Sequence, residues 1–117
     1  TAVVQRLRYV RQLGHAHLVY PGANHSRFEH ALGAQELARR TLALLAEDGQ
    51  LAALPNEEPA LIRAAALLHD VGHYPYSHAV EEIGVPHHED VAAPLITEGP
   101  IAAILRADLG HDAPDRV

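Results

Sequence analysis

His69, Asp70 and His73 close the most apolar segment of the chain, Leu61-Ile62-Arg63-Ala64-Ala65-Ala66-Leu67-Leu68-His69-Asp70-Val71-Gly72-His73. A run that reads as a buried helix stops in His-Asp, then Gly, then a second His. All three polar groups can bind a metal or move a proton. Burying such groups without partners costs on the order of several kcal/mol. They therefore either form a site or are hydrogen-bonded one by one.

A metal that activates water or holds a phosphate needs N and O donors converging from different elements. His30 lies early in one helical stretch and His69-Asp70 late in another, so antiparallel packing would bring them together. Neighbours on a helix point about 100° apart, so His69 and Asp70 would straddle a metal seated beside the helix end. His73 would lean over the same site without ligating. On spacing alone a plainer reading stays open, with His69 a helix-end histidine favoured by the dipole, Asp70 a solvated carboxylate and His30 a surface residue. The sequence has no Cys, so any metal rests on His and carboxylates. That donor set suits Mn, Fe, Mg, Ni or Zn.

Ala and Leu are abundant and aromatics are only 4% of the chain, which favours helices packed on helices in one domain. The net charge of −6 argues against a general nucleic-acid binder. Its distribution is uneven: residues 1–40 carry +4 and the rest −10, and no cation is Lys. Arginine forks match phosphate oxygens, although Arg6, Arg8 and Arg39 read as solvated helix-face residues. No apolar run is long enough to span a bilayer and no secretory signal opens the chain, so the expected location is cytoplasmic. The chain starts at Thr1 and contains no Met, and it reads as part of something longer.

The elements that must position these groups read as helices. Residues 1–13 carry Val3, Leu7 and Val10 on one face, with Gly14 as the stop. Residues 15–25 read as a loop with a short extended piece at 18–20 and a Pro-Gly turn. Ser26 and Glu29 have the form of a capping box. It opens a helix over residues 27–46, with Phe28, Leu32, Leu37, Leu42 and Leu45 as apolar anchors. A third helix spans 59–72, starting at Pro59. A short helix covers 76–83. Another spans 87–97, which Pro94 should kink or split. The last runs from Gly99-Pro100 to Leu109, ended by Gly110. The tail 111–117 is polar, with Asp112 a loop or N-cap residue. His15, His17 and His87 read as surface loop residues.

Three longer runs say more. Gln5-Arg6-Leu7-Arg8-Tyr9-Val10-Arg11-Gln12-Leu13-Gly14, then Tyr20-Pro21-Gly22-Ala23-Asn24-His25-Ser26-Arg27-Phe28-Glu29-His30-Ala31-Leu32-Gly33, then Leu68-His69-Asp70-Val71-Gly72-His73-Tyr74-Pro75-Tyr76-Ser77-His78 occur in this order. Together they resemble the HD-domain metal-dependent phosphohydrolase superfamily, and are most similar to its deoxynucleoside-triphosphate triphosphohydrolase branch. The likeness runs from the start to about Ile96. The motifs are specific for the superfamily and less so for the substrate.

The resemblance implies an all-α HD-domain helical bundle, with residues 1–117 a single partial HD domain. Its core is expected over 1–97, with the last helix and polar tail over 98–117. It implies His30, His69 and Asp70 as ligands of a divalent metal. His73 would be a catalytic or phosphate-contacting histidine, oriented by Glu81, where the family often has Asp. His88 would reach the phosphates, Arg27 would contact a substrate phosphate, and Gln12 and Leu13 would lie near the sugar. His25 and His78 would brace the motifs. A fourth metal ligand, an Asp on a later helix, is expected past Val117, so the bundle reads as truncated before that helix. The implied reaction is hydrolysis of a nucleotide, foremost a deoxynucleoside triphosphate to nucleoside and triphosphate, which this stretch by itself need not support. A nucleotide 5′-phosphatase, a phosphodiesterase or a non-catalytic nucleotide-binding module are the alternatives. The expected partners are a nucleotide substrate and further copies of the chain, with neither membrane nor nucleic acid.

Overall fold

Two helices set the frame: α2, Arg27–Glu47, packs along α3, Glu58–Leu68, so that the start of one meets the end of the other. The computed structural model describes residues 1–117, except for the side chains of Ser77, His78 and Glu81. The roles expected of His78 and Glu81 therefore lie outside the described residues. Among the described residues every regular element is helical, as expected, apart from one isolated bridge between Arg11 and Ser26. No helix among them is long and apolar enough to cross a membrane.

The first helix is shorter than its apolar spacing predicts. Helix α1 covers Ala2–Gln5, tightens into a 3-10 turn over Arg6–Tyr9, and stops at Val10, which is extended. The cause is a distant partner. The Val10 carbonyl accepts the Arg27 N–H at 2.8 Å, and the Gln12 N–H donates to the His25 carbonyl at 3.1 Å. The amino-terminal segment is thus stitched to the start of α2. The extended piece expected at 18–20 is absent; a 3-10 helix runs over Gly14–Leu18 and the chain turns beyond it.

The capping box is present in full. Ser26 Oγ accepts the Glu29 N–H at 3.2 Å and Glu29 Oε2 accepts the Ser26 N–H at 2.6 Å. Such a cap contributes about 1 kcal/mol and fixes where α2 begins. Two of its expected anchors are misplaced: Leu32 and Leu37 are exposed, and the buried residues of α2 are Arg27, Ala31 and Leu42. Helix α3 ends at Leu68, short of Gly72. Residues 69–73 continue as turns, with the Val71 N–H on the Leu68 carbonyl at 2.9 Å and the His73 N–H on the Asp70 carbonyl at 3.1 Å.

Helix α4, His88–Thr97, runs through Pro94 without being split. Proline there removes one backbone bond, and the burial of Ala92 and Ile96 on either side of it offsets the loss. Helix α5, Gly99–Leu109, stops at Gly110, and α6, Ala113–Arg116, follows with Asp112 at its N-cap. The core joins Leu61, Leu68, Val71, Ala92, Ile96, Ile101, Leu105 and Ala113. It therefore continues past residue 97 into α5 and α6, and the polar tail contributes a buried Ala113 and Pro114.

The contact of α4 with the rest is backbone on backbone at Gly72. A β-carbon there would lie 2.0 Å from the His88 carbonyl oxygen and 2.6 Å from the Ala92 nitrogen. Gly33, in mid-α2, has nothing within 4 Å of the same position. We expect Gly72→Ala to destabilise the protein by about 3 kcal/mol through displacement of α4. Gly33→Ala should stabilise it by about 0.5–1 kcal/mol. Urea unfolding of the two variants checks both, and midpoints moving in the same direction would refute the packing described.

Candidate metal centre

The capping box places Arg27 and His30 in the first turn of α2, one helical repeat apart and on one face. The end of α3 brings His69 and Asp70 to the same place. His30 Nε2 and His69 Nε2 lie 3.2 Å apart. His69 Nε2 is 3.5 Å from Asp70 Oδ1, and His30 Nε2 is 3.7 Å from Asp70 Oδ2. A cation bound about 2.1 Å from each donor sets adjacent donors roughly 3.0 Å apart, so these three residues fit one with small adjustments. The tautomer fits too. His69 Nδ1 is 2.9 Å from the Ala66 carbonyl oxygen, an acceptor, so the proton sits on Nδ1 and the Nε2 lone pair faces His30 and Asp70. The side chains of His30 and His69 are about two-fifths exposed, at 41% and 43%, which leaves the donors reachable.

Asp70 itself is buried and strongly partnered. Arg27 Nη1 donates to its Oδ2 at 2.6 Å, and His73 Nε2 lies 3.3 Å from its Oδ1. Burial alone would raise the Asp70 carboxyl. The His73 hydrogen bond, the Arg27 charge and His69 outweigh it and hold the group well below the usual carboxylate range. Burial pushes the fully enclosed His73 imidazole below its usual value; its bond to Asp70 opposes this, and the Arg27 charge reinforces it. The His73 ring stacks on His88, with centroids 3.7 Å apart and planes 16° from parallel. The seating of α4 on Gly72 is what brings His88 there.

The structure therefore gathers His30, His69, Asp70, His73, His88 and Arg27 into one cluster. Arg27 was expected to face a phosphate, and its Nη1 is turned onto Asp70. It also lines a cleft of about 410 Å³ with Gln12, Leu13, Gly14, His15, Tyr76 and Ala79. Gln12 and Leu13 thus meet the cluster through Arg27, whose Nη2 reaches the Gln12 carbonyl at 3.5 Å. His15 is exposed, as expected, and also forms a wall of this cleft, stacked on Tyr76 at 5.1 Å. Arg6 differs from its expected place. It is no solvated helix-face residue, because its guanidinium donates to the carbonyls of Val71 at 2.6 Å and His73 at 2.8 Å. Arg8 packs its guanidinium over the Phe28 ring at 3.8 Å, and Arg39 does lie on the solvated face with Glu36.

The HD domain family model matches residues 27–113. The chain is 42% identical over 99 residues to the Uncharacterized protein YwfO of Bacillus subtilis, covering 82% of this chain and 22% of that protein. It is 41% identical over 86 residues to the Deoxynucleoside triphosphate triphosphohydrolase SAMHD1 of Bos taurus, covering 74% of this chain and 15% of that protein. Its fold is similar to the crystal structure of a phosphohydrolase from Bacteroides thetaiotaomicron, with TM-score 0.79 and 30% identity over 99% of this chain and 28% of that one. The chain spans 13% to 27% of the length of such curated relatives.

Two measurements probe the cluster. We expect the protein to retain a stoichiometric divalent metal through gel filtration and to lose it in His69→Ala and Asp70→Asn, as read by elemental analysis. Retention in both variants would rule the centre out. In chelated protein, Arg27→Met leaves Asp70 buried without its counter-charge, so unfolding stability should fall by about 3 kcal/mol. Saturating divalent cation should return part of that loss, because it binds only the folded form.

Proposed function

The chain belongs to the HD domain family, and on that footing we propose that His30, His69 and Asp70 hold a divalent cation that serves hydrolysis of a nucleotide phosphoester. Deoxynucleoside triphosphates are the leading substrate, giving nucleoside and inorganic triphosphate. The observation that carries the reading is the convergence of two imidazoles on one buried carboxylate, beside an arginine and a stacked pair of histidines. The similarity to proteins named deoxynucleoside triphosphate triphosphohydrolase supports the choice of substrate.

When bound, such a cation supplies Lewis acidity toward a phosphoryl oxygen and acidifies water. The chain's own residues supply the rest. His73, held on Asp70 Oδ1 and stacked on His88, is placed to hold or transfer a proton. Burial draws its enclosed ring toward the neutral form. Arg27 bonds Asp70 through Nη1 and the Gln12 carbonyl through Nη2 at the wall of the cleft, and a phosphate there would meet its positive charge. His88 opens α4, where the helix dipole favours negative charge. Gln12 and Leu13 line the part of the cleft left for the sugar. Glu81 keeps its expected role, as the acid orienting His73, on sequence position.

Incubation of the protein with each of the four deoxynucleoside triphosphates and Mn²⁺, followed by chromatography, tests the reading. Nucleoside and triphosphate should accumulate, and Asp70→Asn should lower the rate by about a hundredfold or more. If nucleoside is released from no base, the triphosphohydrolase reading fails. Parallel incubations with nucleoside monophosphates and cyclic nucleotides then distinguish a phosphatase or a phosphodiesterase.

A further inference from the structure

We propose that Arg6, which lies outside the metal cluster, is a positioning residue for His73, an inference that rests on the hydrolase reading above. One guanidinium spans the turn that carries His73: Nη2 donates to the Val71 carbonyl at 2.6 Å and Nη1 to the His73 carbonyl at 2.8 Å. The two acceptors flank Gly72, the residue on which the α4 backbone rests. Arg6 touches no ring nitrogen, so its action on the chemistry passes through the backbone of residues 71–73.

The chemistry of the turn explains why arginine suits this place. Helix α3 ends at Leu68, which leaves the following carbonyls without helical partners. Buried carbonyls need donors. A planar fork with parallel N–H groups satisfies two of them at once and fixes their separation, whereas a lysine ammonium is a point charge on a flexible stem. The fork has a firm base. Leu7, next in sequence, is fully buried, and so is Val10. Val10 also accepts the Arg27 N–H, so residues 6–10 tie down the start of α2 and the His73 turn together.

The consequence for the site is geometric. His73 keeps Nε2 3.3 Å from Asp70 Oδ1 and its ring 3.7 Å from His88. A displacement of its backbone by about 1 Å breaks both, and misplacement on that scale costs up to about a hundredfold in rate. The metal donors His30 and His69 do not bond Arg6, so metal content should survive its replacement.

Arg6→Gln and Arg6→Lys in the full-length protein test the assignment. We expect Arg6→Gln to keep its metal and lower kcat about tenfold or more with KM changed less than about twofold. Arg6→Lys should fall between it and wild type. Millimolar guanidinium should restore part of the rate of Arg6→Ala, a rescue that a general loss of fold would not show. Amide exchange of the 69–74 peptide, read without nucleotide, should quicken in Arg6→Gln. Quickened exchange in a protein whose wild type hydrolyses nothing supports the clamp and defeats the hydrolase reading instead. Unchanged exchange, or an unchanged kcat in metal-loaded Arg6→Gln, overturns the assignment of Arg6. So does unfolding of every variant without guanidinium rescue, because Arg6 would then belong to the scaffold alone.

Discussion

Asp70 carries a negative charge into a place where only 4% of the residue meets water. A carboxylate cannot be left there alone, since removing its partner typically costs about 3–5 kcal/mol. Most of the cluster can be understood as a response to that constraint. Arg27 neutralises it from α2, His73 hydrogen-bonds it from the turn beyond, and His30 and His69 stand at its open side with their Nε2 atoms 3.7 and 3.5 Å from its oxygens. A divalent cation would be one more counter-charge in a set already arranged around the same anion. The helices have to cross where they do because these partners come from α2, from the end of α3 and from the turn that follows.

The compensation is asymmetric in a useful way. Arg27 occupies Oδ2 and His73 lies beside Oδ1, and both are buried with Asp70. On the other side the two imidazole donors are partly exposed. Charge is thus balanced from the interior, and the two imidazole edges remain reachable from solvent. The low-dielectric interior strengthens the interior pairs, and the same burial draws His73 toward its neutral form. One environment therefore keeps the carboxylate ionised and lowers the proton affinity of the neighbouring imidazole.

Features written in short-range chemistry could be read directly from the sequence. The Ser26–Glu29 box and the Gly110 stop each depend on neighbours within a turn, and both are present, while Asp112 takes the N-cap position of α6 without a side-chain capping bond. The convergence of His30 on His69-Asp70 also follows from two apolar helices forced to pack. What could not be read depends on partners far along the chain. The spacing of Val3, Leu7 and Val10 suggests a helix over 1–13, but Val10 is taken out of it by Arg27. Arg6 has the composition of a surface residue and the position of a clamp. Leu32 and Leu37, five residues apart, point about 140° from one another, and both lie largely outside the core. Periodicity reports that a face is apolar without saying what lies opposite. The Gly72 contact with α4 is equally silent, because the residue matters for a side chain it lacks.

That contact also bears on the order in which the site can come into being. His88 reaches His73 only once α4 lies on Gly72, and α4 holds its place through Ala92 and Ile96, which pack with Ile101 and Leu105. A chain emerging from the ribosome therefore displays His30, His69 and Asp70 before the segment that completes their surroundings has been made. During synthesis α2 and α3 can form before the stacked pair of His73 and His88 exists. The meeting of His30 with His69 and Asp70 and the stacking of His73 on His88 are therefore separate events in the making of each molecule.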